Sequence, residues 1–132
     1  MPVELISHDG RPLAYILPAK LRPDKTTFVT PSEDNFQVGF IVYPEGGEVK
    51  RHAHLPVKRE ICGTSEVIMV REGLCEISIY SETRELAATR VLAAGDIAII
   101  VSGGHGFRML EDTVLLEVKQ GPYAGTQDKE HF

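Results

Sequence analysis

The stretch EVIMVREGLCEISIYSETRELAATRVLAAGDIAIIV, residues 66–101, decides the fold class. Its Ile- and Val-rich runs are short, and they are interrupted by turn formers, REG at 71–73 and AAGD at 93–96. Short β-branched runs punctuated in this way are the pattern of an all-β sandwich or barrel. Strands are expected over 66–71, 75–81 and 97–101. Between them, residues 84–92 admit two readings: a turn or two of helix, or a hairpin tip entering a strand.

Working outward, the punctuation continues with DGRP, PSEDN, PEGGE and LPVK, and two more strands are expected at 36–43 and 114–119. LAYIL at 13–17 and TTFV at 26–29 are short apolar pieces that would pair with the same sheet system or with a neighbouring subunit. The closing GPYAGTQDKEHF carries turn formers and charges but little to bury, so it is expected on the surface or across a cavity mouth. No internal repeat or low-complexity segment interrupts this organisation. The expectation is one domain over 1–132, with its core at about residues 36–120, N-terminal strands over 1–35 and a surface tail over 121–132.

A chain of 132 residues can bury a real core but is short for two domains. With 42% hydrophobic and 25% charged residues it has the composition of a folded globular protein, not of a disordered one. The formal charge of −5 argues against nucleic acid, which needs a broad basic face; the local run of Lys50, Arg51, Lys58 and Arg59 is too small to supply one. No apolar run is long enough for a membrane span, and the opening MPVELISHDGRP lacks the basic start and apolar stretch of a signal peptide. A cytoplasmic protein with no membrane partner is therefore expected. Cys62 and Cys75 are too few for a disulfide framework, and Cys75 reads as a small core residue.

The chemistry starts upstream of the opening stretch, at His52 and His54. On a β-strand, residues i and i+2 point to the same face about 6.5 Å apart, so two imidazoles at this spacing can chelate one ion. The other reading is a solvated basic loop, since lysines and arginines flank the pair.

The wider spacing is Gly46, five residues, His52-x-His54, then Glu66, six residues, Gly73, and later Gly95-Asp96, Gly103 and His105. In this the chain resembles the cupin superfamily, over almost half its length. The resemblance implies an all-β, single-domain antiparallel β-barrel or jelly roll with little or no helix. It also implies one divalent metal ion on His52, His54, Glu66 and His105. Four features depart from the family pattern. Eleven residues separate His54 from Glu66, where the family has three or four, which leaves Glu60 as a competitor for the carboxylate ligand. Glu66 alone keeps the six-residue interval to Gly73. Val101 stands where a proline is common and Met109 where an asparagine is common, and SGGH is one residue short, a contraction that Gly103 and Gly104 can absorb through positive φ. Three imidazoles and a carboxylate suit Fe, Mn, Ni, Co or Zn, whereas Ca and Mg prefer oxygen ligands.

Alternation places Phe107 and Met109 on the His105 face, and Ile68 and Val70 on the Glu66 face. It also puts Leu115, Glu117 and Lys119 on one face of their strand and Leu116 and Val118 on the other. If the polar face points inward, Glu117 and Lys119 can bind a polar substrate or serve as acid and base; if outward, they are solvated charges. Tyr43, Arg51 and Tyr123 are candidate rim residues. No Ser-His-Asp order, phosphate loop, CxxC pair or HExxH helix offers a competing chemistry. The resemblance thus implies a metal-dependent enzyme acting on a small polar metabolite, a carboxylate or sugar derivative, by oxygenase, isomerase or lyase chemistry. A non-catalytic sensor or binding protein for such a ligand is the alternative, because a fold alone does not fix function. A homodimer is expected from the same resemblance.

Overall fold

The computed structural model describes residues 2–132. These form two compact units, one of residues up to Leu21 together with Thr64–Phe132, the other Arg22–Gly63. Ten strands follow in chain order: β1 Glu4–His8, β2 Arg11–Leu17, β3 Thr27–Phe28, β4 Gly39–Phe40, β5 Glu66–Glu72, β6 Leu74–Tyr80, β7 Leu86–Ala93, β8 Ile97–Ile100, β9 Gly104–Met109 and β10 Val114–Lys119. All pairings are antiparallel. Helical structure among the described residues is one 3₁₀ turn, Gly125–Asp128, and no helix there is long and apolar enough to cross a membrane.

The first unit is built from two sheets, β1-β2-β8-β5-β10 and β7-β6-β9. Their inward faces supply one core. Ala14, Ile16, Ile68, Val70, Ala98 and Ile100 come from the larger sheet and Cys75, Ile77, Ile79 and Leu92 from the smaller. On β6, Cys75, Ile77 and Ile79 are wholly buried, as period-2 alternation requires of a strand with one face on a core. Burial also pushes the Cys75 thiol pKa up, so it stays a protonated core group. The sheets keep free edges and do not close into a barrel.

At one flank the two sheets are tied together across their edges. Arg90 of β7 donates from Nε and Nη2 to the Glu4 carboxylate of β1 at 2.7–3.2 Å. The opposite flank, where β10 and β9 are the edge strands, holds the cavity described below.

Residues 84–92 form no helix. Ser81 and Glu85 exchange two hydrogen bonds around a tight turn, Ser81 N–H to the Glu85 carbonyl and Glu85 N–H to Ser81 Oγ, and the chain leaves that turn as β7. The long strand expected at 36–43 is reduced to Gly39–Phe40, paired with Thr27–Phe28. The Thr30 hydroxyl donates to the Phe36 carbonyl and accepts from Val38 N–H, which folds 31–37 into a loop. Ile41 and Tyr43 are exposed, so this stretch lacks the buried face that would hold an extended strand. In the Arg22–Gly63 unit no strand follows Phe40.

Candidate functional site

The register of β10 against β5 builds one wall. Lys119 pairs with Glu66, Glu117 with Ile68 and Leu115 with Val70. Paired residues share a face, and Ile68 and Val70 lie in the core, so the polar face of β10 is the inward one. Leu116 and Val118 point outward and are half exposed. The register is pinned beyond the strand ends: Ser65 N–H donates to Gln120 Oε1 at 2.6 Å, and Gln120 N–H to the Ser65 carbonyl at 3.2 Å.

The opposite wall is β9. His105 pairs with Ile79 and Phe107 with Ile77, so both rings sit on the inward face of the smaller sheet. Entry to β9 depends on Gly103, whose φ of +72° is left-handed and whose missing side chain leaves room for the Tyr80 carbonyl. Any other residue would meet that oxygen and turn His105 off its line.

Between these walls lies a cavity of about 540 Å³. Glu66, His105 and Glu117 form its polar side, and Ile68, Ile100, Phe107 and Leu115 its apolar side. Glu66 Oε2 lies 2.9 Å from His105 Nε2. That oxygen is buried and makes no aligned hydrogen bond. The ring nitrogen is near enough to stabilise the carboxylate charge.

The electrostatics separate the two carboxyl groups. Glu66 is held below the usual carboxylate range, chiefly by His105, with Glu117 and Lys119 adding to the effect and burial opposing it. Glu117 is pushed up, first by burial and then by the neighbouring Glu66. The two carboxyls are thus pushed apart, Glu66 losing its proton more readily than Glu117, an arrangement able to divide acid and base roles. Lys119 is half-buried, does not line the cavity, and acts on both carboxyls through its charge.

The fit to a metal ion is testable on these atoms. Two ligand atoms at about 2.1 Å from one ion and at right angles to each other are about 3 Å apart, which is the spacing of Oε2 and Nε2. A buried oxygen without an aligned donor facing an imidazole nitrogen suits two adjacent ligands. Among the described residues, no three His, Cys, Asp or Glu side chains gather into a complete metal-holding group.

His52 and His54 belong to the Arg22–Gly63 unit and are exposed. They are not on a strand, which corrects the expected extended geometry, yet their rings stand edge to face with centroids 5.2 Å apart. His52 Nδ1 is 2.8 Å from the Lys50 carbonyl, an oxygen that can only accept, so Nδ1–H donates and Nε2 is the nitrogen turned away from the backbone. Tyr43, Arg51 and Glu60 are exposed in the same unit.

Two expected pocket residues of the first unit do not line the cavity. Met109 shares the His105 face but sits at the far end of β9, where it pairs with Cys75 and is 49% exposed. Tyr123 is 84% exposed. Conversely, Arg84 and residues 128–132 line the cavity. A tail across the mouth is expected from composition, but no periodicity marks its individual contacts. No family model, curated protein or solved structure matches the chain.

Proposed function

We propose that the chain is a small cupin-type metalloprotein, an enzyme that uses one divalent transition-metal ion (Fe, Mn, Ni, Co or Zn) to act on a small polar metabolite, a carboxylate or sugar derivative. The observation that carries the reading is Glu66 Oε2, buried without an aligned hydrogen bond and 2.9 Å from His105 Nε2 at the polar end of a cavity. Glu66 and His105 are the ligands that this geometry supports. His52 and His54 enter the set on the motif spacing, and the two-sheet antiparallel fold suits a jelly roll.

When bound, such an ion supplies Lewis acidity or redox chemistry toward a substrate oxygen. The protein's own groups do the rest. Glu117, on the cavity wall beside the Glu66 carboxylate, gives up its proton less readily than an ordinary glutamate and can pass one to or from a substrate atom. Lys119 offsets the negative charge of the two carboxyls. Ile68, Phe107 and Leu115 exclude water from one side and leave the substrate a single polar end to address.

The test is turnover against a panel of small carboxylates and sugar derivatives with purified protein. His54→Ala, at an exposed position where the fold should survive, is expected to abolish turnover. Glu117→Gln should lower kcat by about 10²-fold or more while KM changes little, as for loss of a proton-transfer group. Turnover that survives His54→Ala in folded protein contradicts the reading.

A further inference from the structure

We propose that residues 128–132 form a latch across the cavity and that Phe132, seated against Gly104, sets access to the Glu66–His105 end. The inference rests on the cavity and its anchors, and it holds with or without a metal.

All five residues of the segment line the cavity. Their anchors lie on both sheets of the unit. Thr64, just before β5, donates its hydroxyl to Asp128 Oδ1. Arg84, in the turn between β6 and β7, donates from Nη2 to Glu130 Oε2 at 3.0 Å. The same guanidinium lies 4.9 Å from the Phe132 ring centroid. Tyr80 of β6 meets that ring edge to face, with centroids 5.1 Å apart. The segment therefore bridges the larger sheet to the smaller one over the opening that leads to His105.

Gly104 supplies an independent observation. Unlike Gly103 it does not adopt a positive φ, so backbone conformation does not require glycine there. Its bareness instead leaves room for the tail: a Cβ on Gly104 would stand 2.7 Å from the tip of the Phe132 ring and push that exposed ring aside. The residue before His105 is thus shaped to receive the tail. The anchors themselves are weak, since Phe132 is 63% exposed and the Arg84–Glu130 pair is at the surface. A closure held by such contacts opens readily, as a passage for small molecules must.

The test is the rate at which diethyl pyrocarbonate modifies His105, followed by peptide mass spectrometry on the full chain in excess chelator, so that bound metal plays no part. His8, which does not line this cavity, is the internal reference. Phe132→Ala and Gly104→Ala are each expected to raise the His105 rate by about two- to fivefold, the population change expected on losing one exposed cation–π contact. The His8 rate should stay constant, and the double variant should match the faster single one. Equal His105 rates in wild type and Phe132→Ala overturn the latch. So does an increase confined to Gly104→Ala, which would assign the effect to the β9 backbone.

Discussion

Gly103 and Gly104 stand side by side before His105 and are glycines for different reasons. Gly103 needs its left-handed φ of +72° and the gap that admits the Tyr80 carbonyl; Gly104 needs room for a ring. A left-handed conformation costs an L-residue about 1–2 kcal/mol, and a clash with backbone adds to that. Gly103→Ala is accordingly expected to destabilise the protein by about 1–3 kcal/mol in denaturant titration, and Gly104→Ala by clearly less, because a surface ring yields more easily than a carbonyl. Equal effects would mean that the turn is not built as described. The positive φ of Gly103 is legible in the sequence because φ is a local property, whereas the same expectation fails at Gly104, which does not adopt it. The seat for Phe132 is not legible there, because the two residues meet only through the path of the tail. The same holds for Glu66 and Glu60: spacing favours Glu66, but only its place on β5 opposite His105 gives it a reason.

At the scale of elements, β5, β6, β8 and β10 fall within a residue or two of the expected strands, since each alternates or runs apolar between turn formers. The strand expected at 36–43 fails because apolar composition alone provides neither a partner strand nor a surface to cover. Which face of β10 points inward is also hidden in the sequence, as alternation defines two faces without ranking them; pairing with Ile68 and Val70 ranks them. The core predicts its own test. Ile77 is wholly buried on the central strand of the smaller sheet, and Ile77→Ala should cost about 2–5 kcal/mol by denaturant midpoint.

The Glu4–Arg90 clamp gives a pH signature. Hydrogen bonding to Arg90 holds the Glu4 carboxyl below its ordinary 4.5, against a smaller opposing effect of burial. Its charged form is favoured by folding, so its stabilisation is present above about pH 4.5 and is lost as pH falls through the lower folded value. Both side chains are over 40% exposed, which limits the pair to about 1 kcal/mol or less. Glu4→Gln should be slightly less stable than wild type at pH 7, and the gap should close below pH 4.5. A gap that widens on acidification would contradict the clamp.

For the whole molecule, the residues that motif spacing groups together fall in two units. Glu66, His105 and Glu117 meet in a cavity between two sheets, while His52 and His54 form an exposed pair in the Arg22–Gly63 unit. The proposed transition-metal ion on His52, His54, Glu66 and His105 is tested by elemental analysis of protein purified without a histidine tag, as isolated and after reconstitution with Fe, Mn, Co, Ni or Zn. One ion per chain is expected in the wild type, with its loss in both His54→Ala and Glu66→Gln. Absence of a stoichiometric ion with every one of these metals, or its full retention in either variant, would contradict it.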